Sequence, residues 1–333
     1  MTRTTLSLLR LGVLLAGLVG VGLAQTFTTF DPAGSVGTYA ASIDSAGRVV
    51  GFYVDASLVM HGFARRPNGT VFSIDPSGST QTVARASTAA GLIVGYYADS
   101  AAHYHGFLRK TGGHFVLFDV PSSMWTLPLA MNSLGQIAGF YQDSARANHG
   151  FWRNVDGTVT TFDVRLAKST IATAINLSGK IAGYYVDSTN VQHGFLRHTN
   201  GTFAKFDPPG STHTLPTSMN DAGQIVGFYL DANGVQHGFL RNSNGAIVPF
   251  DPPGATLTNA TAINGAGVMV GYYRNGGIEQ HGFVRKADGT ITSFDPTGAT
   301  ETVPVGINSA GVIVGTENAP NGIYHGFLVQ IAQ

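Results

Sequence analysis

An all-β ring of seven four-stranded blades is predicted by three observations. A 44-residue unit recurs seven times without insertion, no window carries a helical apolar period, and the last unit lacks a strand that the N-terminus supplies. The tripeptide His-Gly-Phe begins at His61, His105, His149, His193, His237, His281 and His325, every step being 44 residues. The same step relates Gly51, Gly95, Gly139, Gly183, Gly227, Gly271 and Gly315, the turn glycines from Gly47 to Gly311, and an aspartate column from Asp31 to Asp295. It also relates Thr38, Thr82, Thr126, Thr170, Thr214, Thr258 and Thr302. Four antiparallel strands in roughly 40 to 50 residues, repeated around an axis, make a seven-bladed β-propeller.

Residues 1–24 read as a secretory signal peptide. Arg3 and Arg10 precede an uncharged run from Leu11 to Leu23, and small residues stand before a cleavage point after Ala24. The run is too short for a membrane span, which needs about 20 apolar residues, and no other stretch competes. Cleavage leaves 17 basic against 19 acidic groups, a charge of −2. The destination is the extracellular space or the periplasm. Seven units fill 308 of the 309 residues that follow, so 25–333 is expected to be one propeller domain with no linker.

Within the fifth unit, apolar runs at 214–219, 224–230, 237–241 and 246–250 read as strands A to D. Asn220-Asp221-Ala222-Gly223 turns A into B, and Asn242-Ser243-Asn244-Gly245 turns C into D. The last unit has A, B and C (302–307, 312–316, 325–330) and then stops. Thr26-Phe27-Thr28-Thr29-Phe30-Asp31 matches Ile291-Thr292-Ser293-Phe294-Asp295, a D strand placed before the first A strand. Pairing the two closes the ring and removes an open sheet edge.

The His-Gly-Phe units, the Ile-Asn-x-x-Gly turns and the leader resemble the repeat of the bacterial extracellular proteins called the HAF family, named for a His-Ala-Phe form of the tripeptide. The resemblance covers all seven units, with glycine at each middle position. It implies an extracellular repeat protein. More distantly the blades look like those of WD-repeat propellers, which hold their loops with a buried network of His, Asp and a hydroxyl residue.

Alternating strand direction puts the A–B and C–D turns on one face. The B–C loops and D–A connections occupy the other, called the top. The His, Asp and Thr columns belong to the top and are expected to form buried structural networks inside each blade. A second aspartate set follows strand B: Asp55, Asp99, Asp143, Asp187 and Asp231, replaced by Asn275 and Ala319 in the last two units. These five, with the variable loop residues His103, Arg146, Asn190 and Asn233, are the candidate ligand contacts. The only glutamates, Glu279, Glu301 and Glu317, fall in the last two units and are the weak candidates for a catalytic pair.

Composition narrows the classes. Charged residues make up 11% of the chain against a usual figure of about 25%, and the charges balance, so a nucleic-acid partner lacks its electrostatic footprint. With no cysteine there are no disulfides, thiolate metal sites or cysteine nucleophiles. A monomer without metal or cofactor is expected, acting as a secreted binding or scaffold module on a polysaccharide or other surface polymer. The competing expectation is a propeller hydrolase or lyase with its site at the top centre.

Overall fold

The structure, a computed structural model, describes residues 26–330, so the leader lies outside the described residues. Among the described residues twenty-eight strands form seven blades of four antiparallel strands, each blade built from consecutive strands except the one that joins the first strand to the last three. In the fifth blade the strands are His213–Met219, Ile225–Leu230, Gln236–Arg241 and Ile247–Phe250, within a residue or so of the expected bounds. A single parallel bridge, Gln236 to Leu257, joins this blade to the next. No helix among the described residues is long and apolar enough to cross a membrane.

The ring closes as the termini predict. Phe27–Phe30 pairs antiparallel with Tyr324–Gln330, in the register Phe27–Val329, Thr28–Leu328, Thr29–Phe327 and Phe30–Gly326. Phe30 is buried, and Phe27 packs on Phe294 and Phe327 with ring centroids 6.2 and 5.9 Å away.

Each blade is built around the phenylalanine of its His-Gly-Phe. Phe63, Phe107, Phe151, Phe195, Phe239, Phe283 and Phe327 are all fully buried. In six blades the ring lies against the Cβ position of the strand-B glycine, and in all seven that glycine faces an irregularity in strand A. There the A–B register slips by one residue, as between Ala172 and Ala174, or between Pro216 and Ser218. This β-bulge leaves one extra residue per blade: Ala41, Arg85, Leu129, Thr173, Thr217, Thr261 and Val305. A bulge re-aims its side chain, and here all seven line the central channel. The middle glycine of His-Gly-Phe has its own reason: a Cβ on Gly150 would lie 2.4 Å from the Phe162 ring, so an alanine there needs the strand-D aromatic to move.

Neighbouring blades are tied at the turn face. Asn132, Asn220 and Asn264, in their A–B turns, donate through Nδ2 to the backbone carbonyls of Asn176, Asn264 and Asn308, each one repeat further on. Asn308 donates to the Asp44 carbonyl, carrying the series across the seam. The strand-C arginines add a second tie: Arg153, Arg197, Arg241 and Arg285 lie about 5 Å over Phe118, Phe162, Phe206 and Phe250 of the preceding blade.

Replacing Asn220 by Ala is expected to cost about 2 kcal/mol, because the inter-blade bond goes and the Gln224 N–H loses its acceptor. Asn220→Asp keeps the acceptor within the turn and should cost about half as much. Urea denaturation of both variants separates the two contributions.

Candidate functional site

The top face carries one arrangement in every blade. The first residue of His-Gly-Phe sits at or next to the start of strand C, and its Nδ1 meets the aspartate that follows strand D. The distances run from 2.7 Å for His237–Asp251 and His325–Asp31 to 3.0 Å for His61–Asp75. In five blades the second ring nitrogen also faces a carboxylate, the aspartate ending strand B. His61–Asp55, His105–Asp99, His149–Asp143, His193–Asp187 and His237–Asp231 are 3.5, 3.4, 3.3, 3.5 and 3.7 Å apart. His281 and His325 lack this second partner, since Asn275 and Ala319 replace it.

A tyrosine completes the set. Tyr53, Tyr97, Tyr141, Tyr185, Tyr229 and Tyr273 lie against the imidazoles at 5.0 to 5.4 Å between centroids. In the seventh blade Glu317 takes the tyrosine's position opposite His325.

Two features differ from expectation. The histidines are not buried: their side chains keep 22 to 29% of their accessible surface. The network also crosses blades. The threonines are buried, but each belongs to the blade after the aspartate it approaches. Thr38 and Thr258 donate to Asp31 and Asp251 across that boundary, while Thr126 and Thr170 accept from the Val120 and Val164 N–H groups. Thr82 and Thr214 instead meet the hydroxyls of Ser79 and Ser211, and the Thr302 hydroxyl is buried with no hydrogen-bond partner.

The candidate ligand contacts surround these clusters. One oxygen of the second aspartate fastens its own loop: Asp55 accepts from Ser57 and Val59 N–H, Asp99 from Ala101 and His103, Asp187 from Thr189 and Val191, Asp231 from Asn233 and Val235. Asp143 accepts from Ala147 N–H in the same way. His103, Arg146, Asn190 and Asn233 are exposed on the loops, Arg146 and Asn190 with left-handed backbones at φ 66° and 69°. Lys168 reaches Asn190 from a D–A connection at 2.9 Å. The glutamates sit on neighbouring backbone, Gln280 bridging to Glu301 and Thr302 pairing with Glu317, but no hydrogen bond among the described residues joins their carboxyls. Glu279 is exposed, Glu301 accepts from the Tyr324 hydroxyl, and Glu317 is buried, with burial raising its pKa, His325 opposing and Asp31 adding to the rise.

Backbone donors are the chief reason the carboxyls of Asp55, Asp99, Asp143, Asp187 and Asp231 lie below the ordinary range; Asp187, which also accepts from the Thr189 hydroxyl, falls to about 2. For His105 and His149 burial works against the charged form, but the flanking carboxylates outweigh it and raise both. Depressed carboxyls contribute stability above their unfolded value of 3.8, which is lost as pH falls through their folded values. Raised histidines contribute below 6.5 and lose that contribution as pH rises through their folded values. Thermal melting is therefore expected to plateau between about pH 4 and 6.5 and to decline on both sides. Removing the charge pairs with His105→Gln and His149→Gln should flatten the alkaline decline.

The central channel has different chemistry. A cavity of about 550 Å³ lies between the bulges and the A–B turns, walled by the A strands of all seven blades. Its lining contains none of the three glutamates, and Arg85 is its one charged side chain. Arg85 went unmarked in the sequence, although the 44-residue register through Ala41 and Leu129 shows that its position carries no fixed residue type. Among the described residues no group of three or more His, Asp or Glu is arranged to hold a metal ion.

No family model matches this chain, and no curated protein does. Several solved structures share its fold. Puromycin hydrolase superposes with a TM-score of 0.64 at 12% identity, over 88% of this chain and 52% of its own. The β-propeller domain of the Trilobed protease from Pyrococcus furiosus gives 0.61 at 10% identity, over 87% and 95%; its topology is described as open velcro, whereas a terminal strand fastens the ring here. The BP39L lectin from Burkholderia pseudomallei gives 0.58 at 12% identity, over 90% and 97%. The chain thus spans about half the length of the hydrolase and nearly all of the other two. At such identities the likeness is one of fold alone.

Proposed function

We propose that this chain is a secreted binding or scaffold module that contacts a polysaccharide or other surface polymer at several similar sites on the face bearing the His–Asp clusters. The observation that carries this reading is the fivefold recurrence of one arrangement, an imidazole edge between two part-exposed carboxylates under a loop of variable sequence. Recurrence suits a repeating ligand, because linked weak contacts raise affinity by factors of roughly 10² to 10⁴ without new chemistry. The carboxylates give the face an acidic character that favours hydroxylated neutral or cationic polymers over anionic ones. That a protein of the same fold is a lectin is consistent with carbohydrate as the ligand class. A hydrolase or lyase at the top centre would need two carboxylates across one substrate, and none of Glu279, Glu301 and Glu317 lines the central cavity.

Calorimetric titration with neutral and chitosan-derived oligosaccharides tests the proposal. Several equivalent sites per chain are expected, with fewer sites when Asp187→Asn and Asp231→Asn are combined. Absence of binding at millimolar concentration, or turnover of a glycan, would overturn it.

A further inference from the structure

The bulge of the second blade places Arg85 in the wall of the central cavity, and no carboxylate among the described residues pairs with it. It makes no hydrogen bond or ion pair among the described residues, and its Nε is buried without a partner. The strand-C arginines that share an unpaired Nε, such as Arg153 and Arg197, rest on a phenylalanine and donate through Nη1 to a carbonyl. Arg85 has neither support. The group nearest to it electrostatically is the Tyr96 phenol, which burial, only partly countered by Arg85, holds above its ordinary pKa, so it supplies no negative charge.

The far wall adds an acceptor. Asn259 donates through Nδ2 to the Tyr272 hydroxyl at 3.0 Å and leaves Oδ1 buried without a partner. Around the ring, Thr173, Thr217 and Thr261 spend their hydroxyl protons on carbonyls of the next blade, at 2.9, 2.7 and 2.7 Å. They are therefore braced, whereas Arg85 and Asn259 are not. The remaining lining is largely alkyl, from residues such as Leu129, Met131 and Ile175.

We infer that the central cavity is a binding site for one small hydroxylated carboxylate, with Arg85 taking the carboxylate and Asn259 Oδ1 accepting a hydroxyl. A guanidinium fork matches a carboxylate in two parallel hydrogen bonds, and an unpaired buried cation is the costly state that such a ligand relieves. The volume falls within the range of roughly 300 to 1,000 Å³ found for small-molecule pockets. The site is separate from the top-face clusters, so it stands or falls independently of them.

The test is titration of the intact protein with sodium glucuronate, with glucose and inorganic phosphate as comparison ligands, followed by melting temperature and calorimetry. Glucuronate is expected to bind with one site per chain and to raise the melting temperature, while glucose has no effect. Arg85→Met should weaken glucuronate at least tenfold and melt no lower than the parent when no ligand is present, because it replaces an unpaired cation with an alkyl chain. Asn259→Leu should weaken it less, and Asp187→Asn with Asp231→Asn should leave it unchanged. Glucuronate binding that survives Arg85→Met, no binding at 20 mM glucuronate, or an equal response to phosphate would overturn the assignment.

Discussion

A chain beginning at Asp31 is expected to melt far below one beginning at Gln25. It loses all four pairs with strand 324–330, the buried Phe30, and the packing of Phe27 on Phe294 and Phe327. Loss of a buried phenylalanine alone costs roughly 3 to 5 kcal/mol, and the deletion also bares strand 324–330 as an edge open to pairing with other chains. The expected total is therefore 5 kcal/mol or more, together with aggregation on heating. A peptide of residues 25–31 added in trans should restore much of the melting temperature, since its complement is left intact. A truncated chain that melts like its parent would show that the terminal strand is not the clasp.

The second large effect is expected at Gly183. A Cβ there would stand 2.0 Å from the Ile171 carbonyl oxygen, 2.9 Å from the Phe195 ring and 3.0 Å from Ala172 Cα. Two of the three are backbone atoms of the bulge, and the ring belongs to a fully buried core phenylalanine, so none can give way without moving a strand. Gly183→Ala should cost roughly 3 to 5 kcal/mol, at the upper end of single substitutions. Gly210→Ala is the control. It lies at φ 77° with open space around its Cβ position, and should cost only about 1 to 2 kcal/mol from its left-handed backbone. Chemical denaturation of both measures the contrast, and near-equal values would mean that the bulge yields.

What could be read beforehand followed from periodicity. A property present in every unit at one spacing, such as the histidines, the strand-B glycines or the missing last D strand, survives any uncertainty about a single unit. The terminal clasp was legible for that reason, and so was the company of His, Asp and Thr. Partner choice was less so. The backbone donors that hold Asp187 come from a loop whose turn depends on a left-handed residue, Asn190, and sequence offers no distance by which to place His193 between two carboxylates. Arg85 was hidden for a sharper reason. Strand A was read only as an apolar run, 214–219 in the fifth unit, and the bulge inserts a residue that breaks the alternation of a regular strand, so side chains beyond it point where a regular strand would not send them. Glu317 was noted for its rarity, whereas its burial beside His325 required knowing that it replaces a tyrosine in the stack.

The bulge has an evolutionary consequence. An extra residue stands outside the pairing ladder, so its side chain faces the lumen, and only the three threonines at that position also tie themselves to carbonyls of the sheets. Across the seven units that position holds alanine, arginine, leucine, valine and three threonines, while the glycine facing it is the same in every unit. The fold thus keeps a register of seven letters around one axis, and Ala41, Arg85, Leu129 and Val305, which make no such tie, are open to revision without rewriting the blade that carries them. A lineage could retune what the lumen accepts by single substitutions, and a designer could do the same by screening those four positions together with the rest of the chain untouched.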